Sequence, residues 1–476
     1  AELQGGASGN TNTAQIVSSG GGVPANAGAQ NINVTGDLII AGGAGGNAGL
    51  LALGTRLQRV RANNISMTNS AAGGINSVGF INGGGHQDIH ALGNLTMTAR
   101  ASGGDLPGVR IGGLAGNAPT ATDLKLTVGG DLVLTGGTAA NNGVGIGSTA
   151  APGTAFANNL TIDVGGNVIL DAGSLPGTGA RIGSSANTGA GAGDIRITAG
   201  GDIRLNGVDQ GTAIRTLGDV TLQAASITEA SRGIIEANAL TTSTTGDTLL
   251  GGLNRVNSFT ASSEHGNVQL SNTSALLALG SMDLPGNLAI VQTGDVAVGN
   301  ASATSGTLIA ASGDISMSAT GQILVRGSDT TVGAASAVLA GGELAFSAGD
   351  VTLRAGDAAL TPVVVRGANG VEMTVGNELN VIGGGLLSPA LLTSGRNIDL
   401  TIGQALRLQG GSGDFSLARV QTESRDGVIS ITFPNLSQGG YFVDGLEGHT
   451  HHGQTGFFTD FKAAKVGSTL LLEYGN

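Results

Sequence analysis

Three stretches decide the fold: DLKLTVGGDLVLT (residues 123–135), NLTIDVGGNVILD (159–171) and DIRITAGGDIRLN (194–206). Each holds a short run of alternating apolar and polar residues, a turn ending in glycine, an Asp or Asn, and a second alternating run. Side chains of a strand point alternately to opposite faces, so Leu132 and Leu134 point inward and Val133 outward. The Asp or Asn recurs at Asn94, Asp131, Asn167 and Asp202, at spacings of 37, 36 and 35 residues. A third element keeps phase with the other two: VRIGG (109–113), VGIGS (144–148) and ARIGS (180–184). Three short strands at a fixed period, with small residues between them, predict an all-β fold, a parallel β-helix (β-solenoid) with three short strands per coil. Stacking sets each inward side chain over its equivalent one coil below, and one coil cannot bury that face alone. The glycine before each Asp or Asn is expected to allow a tight corner with positive φ. The Asp or Asn is expected to bond its own downstream backbone there.

From Gly218 onward the rhythm shortens. Gly-Asp or Gly-Asn precedes a strand at Gly218, Gly246, Gly266, Gly286, Gly294, Gly313, Gly349 and Gly376. The commonest spacing, 20 residues, suits a plain three-sided coil with short corners. The longer units upstream read either as single coils with large loops, such as 136–143, or as pairs of smaller coils.

Composition agrees with this reading. Of 476 residues, 87 are glycine and 9 proline, a balance that fits neither collagen nor a proline-rich linker. Hydrophobic residues make up 40% and charged residues 11%, the reverse of a disordered chain. Gly and Thr recur in every long window, which disfavours helix. There is no cysteine, as expected of an exported chain that avoids disulfide chemistry. The net charge of −12 comes without a basic stripe, so no nucleic-acid partner is expected. No apolar run of about 18 residues occurs, so no membrane-spanning segment is expected. Residues 1–19 lack the basic and apolar regions of a signal peptide, and a leader is expected upstream of Ala1.

The stretch 218–280 contains IEANAL (235–240), NRVNSF (254–259) and GNVQL (266–270). In this order the pieces resemble the repeat region of filamentous-haemagglutinin-like bacterial exoproteins, the two-partner secretion family, and the resemblance covers residues 34–409. It implies export through a dedicated outer-membrane pore and a role as adhesin, fibre, contact toxin or haem binder. The family's secretion domain carries Asn-Pro motifs, and this chain has none. Either that domain has been removed or the resemblance holds for the repeats alone. The charged, Trp- and His-bearing character of the family's toxin tails is also missing.

The expected organisation is an irregular entry (1–30), a solenoid (31–412) and an aromatic-rich C-terminal capping or assembly module (413–476). Eight of the 12 aromatic residues lie from Phe415 onward. Phe433, Tyr441, Phe442, Phe457, Phe458, Phe461 and Tyr474 are the candidate capping or assembly residues. One reading has them cover the open end of the solenoid. The other has them dock onto the first coil of the next molecule, end to end.

Candidate chemistry is sparse. His449, His451 and His452, with Asp444 and Glu447, read as a zinc-like site or as a solvated loop. His86 and His90, around Asp88, read as a loop. Arg196, Arg204 and Arg215 are candidates for an exposed patch of the kind that β-helix polysaccharide enzymes carry. No catalytic, cofactor-binding or metal residue is assigned and no cofactor is expected. The sequence thus predicts a non-enzymatic, secreted or cell-surface structural protein, a fibre subunit or scaffold of a Gram-negative bacterium, with copies of itself as partners. The alternatives are a monomeric adhesin for cell-surface glycans or proteins, using loops 101–119 or 172–179, and a polysaccharide-degrading enzyme.

Overall fold

The computed structural model describes residues 1–6, 13–19, 28–43, 47–53, 56–69, 78–82, 86–100, 108–113, 121–138, 143–147, 158–174, 179–184, 193–207, 211–434, 443–444, 461–466 and 469–474. Among these the chain is all-β, without helix, and its strands run in chain order from β1 (Glu2–Gln4) to β44 (Thr469–Tyr474). It divides into two compact units, Ala1–Val256 and Asn257–Asn476.

In the first unit, strands pair in parallel with the third strand before and the third after. β12 (Thr122–Val128) lies between β9 (His86–Ala91) and β15 (Asn158–Val164). β13 (Leu132–Thr135) lies between β10 (Leu95–Thr98) and β16 (Val168–Asp171). β14 (Val144–Ile146) lies between β11 (Val109–Gly113) and β17 (Ala180–Gly183). Each 35–37-residue unit is therefore one three-strand repeat with long connections, not a pair of smaller ones. Residues 1–30, expected to be irregular, already hold β1 and β2 (Ala14–Ser18), which pair with β4 (Leu38–Ala41) and β5 (Ala48–Ala52). This pairing fits a β-helix-like all-β fold.

Register follows the aliphatic pattern. Leu132 lies between Leu95 and Val168, and Leu134 between Met97 and Leu170. All six side chains are fully buried, and each contributes about 1.5–3 kcal/mol. The polar residues between them face outward.

The second unit separates a six-stranded parallel sheet from the rest. Its strands are β26 (Met282–Leu284), β28 (Thr307–Ala311), β31 (Ser336–Ala340), β34 (Val363–Gly367), β37 (Ala390–Ser394) and β40 (Ala418–Thr422). The expected 20-residue rhythm holds from Asp219 to Ala239 and from Asn267 to Asn287. It then lengthens to 27 and 29 residues, because longer turns lead into the strands of this sheet.

The corners correct the sequence reading twice. The corner Asp and Asn residues accept hydrogen bonds from the next repeat, mostly from its backbone, and not from their own turn. Asn94 Oδ1 accepts from Asp131 N–H at 2.8 Å, Asp131 Oδ1 from Asn167 N–H at 2.7 Å, and Asn167 Oδ1 from Asp202 N–H at 2.9 Å. The run starts at Asp37, which accepts from Asn64 N–H, and ends where the Ser226 hydroxyl donates to Asp202. A second run links Asn267, Asn287, Asp314 and the Glu343 N–H. The glycines at 93, 130, 166 and 201 are not left-handed, whereas Gly294 has the expected positive φ, 121°. The former leave room: a Cβ on Gly130 would stand 2.0 Å from Asn94 Oδ1, and one on Gly166 2.2 Å from Asp131 Oδ1.

Gly166→Ala should therefore cost about 1–3 kcal/mol by displacing the Asp131 acceptor. At Gly36 a Cβ meets nothing within 4 Å, and Gly36→Ala should be neutral or slightly stabilising. Urea unfolding of both variants, followed by circular dichroism, checks the contrast; equal losses would mean that the ladder is not what the glycine protects.

Candidate functional site

The expected C-terminal site is described in part. Phe433 follows β41 (Val428–Thr432) and is 5% exposed. Tyr441, Phe442, Phe457 and Phe458 lie outside the described residues, as do Glu447 and the histidines 449, 451 and 452. Phe461 and Tyr474 are register partners in an antiparallel hairpin of β43 (Phe461–Val466) and β44. β44 also pairs with β41, antiparallel, from Val428↔Glu473 to Thr432↔Thr469. The direction of pairing thus reverses on the last repeat, and β44 takes up one edge of β41.

The other sequence candidates do not converge. His86 and His90 sit on a strand, β9, not in a loop. Four residues apart on a strand they stand about 13 Å apart along one face, too far to share a ligand. Instead His86 Nδ1 faces Asp123 Oδ2 at 2.7 Å, and Asp88 pairs with Arg59 at 3.0 Å. Arg196, Arg204 and Arg215 form no common patch, because they lie on three successive strands: β18 (Ile195–Ala199), β19 (Ile203–Asn206) and β20 (Thr212–Arg215). Arg196 is exposed. Arg204 binds Asp202 at 2.6 Å, and Asp202 is held below the usual carboxylate range by the Ser226 hydroxyl and then by Arg204. Arg215 is buried and paired with Glu236 at 2.8 Å.

Three buried polar features escaped the sequence reading. Gln30, Gln58 and Gln87 stack in register, each amide nitrogen donating to the oxygen before it at 2.7 and 2.8 Å. Arg110 and Arg181 stand on either side of Gly145 in one column. Burial lowers Arg181 to about 9, with repulsion from Arg110 and Arg215 adding to it, and burial lowers Arg110 to about 10. Glu229 closes β22 (Ile227–Glu229) with Oε2 accepting from Asn254 Nδ2 at 2.8 Å and Gly252 N–H at 3.1 Å. Its Oε1 is shielded and without a partner. Burial pushes the carboxyl up to about 7, against the pull of both hydrogen bonds.

The second unit also displays an apolar ridge. Leu360, Leu387 and Phe415 have φ of 58°, 53° and 58°, the left-handed region, at the position Gly333 holds one repeat earlier with φ of 80°. Bulky side chains pay about 1 kcal/mol each for this conformation. They are nevertheless 49%, 42% and 76% exposed, with Val332 at 65% and Leu386 at 48% beside them. A buried hydroxyl follows each: Thr361, Ser388 and Ser416. Thr361 N–H donates to Ser388 Oγ at 3.0 Å. The recurring signal was in the sequence as LTP, LSP and FSL (360–362, 387–389, 415–417).

Comparison of the chain with family models, with curated proteins and with solved structures finds no match. The class is therefore the one the geometry defines: an all-β protein of parallel, in-register strands that fits a β-helix. No helix among the described residues is long and apolar enough to cross a membrane.

Glu229 makes stability depend on pH. Its folded value, raised to about 7, lies above the ordinary 4.5 or so of an unfolded Glu. The folded state therefore keeps a proton that the unfolded state loses, and stability falls as pH rises from about 4.5 to about 7, by about 3 kcal/mol in all. Glu229→Gln copies the protonated form. It should match the parent at pH 4 and exceed its stability by about 3 kcal/mol at pH 8, as read from urea midpoints; parallel pH profiles would refute the assignment.

Proposed function

We propose that the chain winds as a three-sided β-solenoid and serves as an extracellular structural protein, a fibre subunit or surface scaffold of a Gram-negative bacterium. The observation that carries this reading is the ladder from Asp37 to Ser226, in which each corner bonds the next across successive repeats. Such a ladder ties stability to neighbouring repeats and leaves no single polar group indispensable, as an extended scaffold requires. The resemblance of 218–280 to haemagglutinin-like exoproteins supports secretion to the cell surface. The antiparallel β43–β44 hairpin supports the capping reading of the C-terminal segment. An antiparallel strand satisfies the N–H and C=O groups of β41 without passing the parallel register onward.

Negative-stain electron microscopy of the purified chain tests the proposal. Rods of constant width, alone or joined into filaments, are the expected result. Compact particles without an elongated axis would overturn it, and so would turnover of an acidic polysaccharide into ultraviolet-absorbing products.

A further inference from the structure

Inward columns of the first unit are apolar for most of its length, and columns on all three sets of strands turn polar within residues 212–254. The column that starts at Leu38 runs through Ile227 and then reaches Thr248. Its neighbour, from Ile40 through Leu205, reaches Glu229. On the second set the column from Val60 through Leu222 reaches Thr242. On the third the column from Val78 through Ala180 reaches Thr212. There Ile235, the last of a run from Leu50, donates its N–H to Asn254 Oδ1 at 2.7 Å. Thr212, Thr242, Thr248 and Asn254 are as fully buried as the apolar residues before them, and Leu240, Leu250 and Val256 stay apolar between them. The apolar core resumes at Phe259, Ala261, Val268 and Leu270, just past the division of the chain into its two compact units.

A polar residue inside an apolar column is tolerated when its hydrogen bonds are made, and here they are made only in part. Thr248 shares a hydroxyl–hydroxyl bond with Thr244 at 3.1 Å, and Asn254 Nδ2 donates to Glu229 Oε2 at 2.8 Å. Thr212 Oγ1, Thr242 Oγ1 and Glu229 Oε1 are shielded from solvent and have no partner. Buried amides elsewhere do better: Gln58 donates to Gln30 at 2.7 Å and Asn272 to Gln292 at 2.8 Å. One further orphan oxygen, Gln87 Oε1, stands by itself at the end of the glutamine stack. A buried polar atom without a partner bears its whole desolvation cost, and its position also forfeits the apolar burial that the column had supplied.

We propose that residues 229–254 are a built-in opening point of the repeat array: pairing is lost here first, while the apolar repeats before and after them in the chain stay folded. Stability in stacked repeats is a sum of each repeat's own contribution and those it shares with its neighbours. One weak layer therefore divides the stack into blocks that open separately. Such a layer supplies a fixed place at which an extended array lengthens without losing the rest. Released chain spans about 3.3 Å per residue, whereas a paired repeat adds only about 4.8 Å in all.

Hydrogen exchange of the full chain, read peptide by peptide in a mass spectrometer, is the test. Amides of β23 (Gly233–Thr244) should exchange about tenfold or more faster than those of β18 and β19. Thr242→Val and Thr248→Val each extend an apolar column by one repeat, and each should slow exchange over 233–254 about tenfold. Thr248→Val orphans nothing new, since Thr244 keeps its bond to the Gly246 carbonyl at 2.7 Å. Thr241→Val changes the exposed neighbour of Thr242 on the same strand and should leave exchange as it was. Exchange in β23 as slow as in β18 would overturn the proposal. So would fast exchange that neither core variant slows, or that Thr241→Val slows just as much.

Discussion

One repeat's corner oxygen accepts the next repeat's N–H, and this single contact constrains most of the rest. It requires a short side chain with an acceptor at the corner and identical register in the strands that follow, and at Gly93, Gly130, Gly166 and Gly201 it leaves no room for a Cβ on the residue before. Alternating Asp with Asn along the ladder lowers charge repulsion, although elsewhere Asp194 and Asp219, and Asp329 and Asp357, do stand in succession. Carboxylates stacked at about 4.8 Å would repel by about 1 kcal/mol in water and about 3 kcal/mol near a protein surface. The run Asp37, Asn64, Asn94, Asp131, Asn167, Asp202 never places two carboxylates in succession. Asn also works in both directions: Asn167 accepts from Asp202 N–H while its Nδ2 donates to Asp131 Oδ1 at 3.1 Å.

Register passes inward as well as along the corner. Once Asp131 is fixed, Leu132 and Leu134 must continue the columns begun by Leu95 and Met97. A slip of one residue would send both outward. The same geometry makes the glutamine stack possible, because Gln30, Gln58 and Gln87 meet only if three repeats agree in phase. Glu229 and Asn254 belong to another kind of feature. They occur once, where the period shortens, and join a buried carboxyl to a buried amide that in turn accepts from Ile235 N–H at 2.7 Å. Repetition stabilises the first kind of contact from both sides, whereas the second depends on local geometry alone.

This difference explains what was legible in the sequence. Alternation and period showed the strands and their grouping in threes, because every repeat restates them. The chemistry of the corner was misread, since Gly130 and Asp131 look like partners in the chain, while the partner that matters, Asn94, lies 37 residues away. The ion pair of Arg215 with Glu236 and the burial of Glu229 left no periodic trace. The arginines 196, 204 and 215 seemed neighbours because their strands are consecutive, yet in these parallel repeats each strand pairs with the third before and the third after. Of the aromatic candidates, Phe433, Phe461 and Tyr474 fall within the described residues, and their shared setting is a change from parallel to antiparallel pairing, which composition alone does not encode.

Repetition also decides what such a chain can offer a partner. A cleft gathers unlike groups at one point, but a stack of equivalent strands presents each outward residue type as a row. On that view the left-handed Leu360, Leu387 and Phe415 are informative because they are costly in the folded monomer and recur at one position of the repeat. A glycine there, as at Gly333, would fold more easily. Three successive repeats instead hold a large, exposed apolar residue at this position.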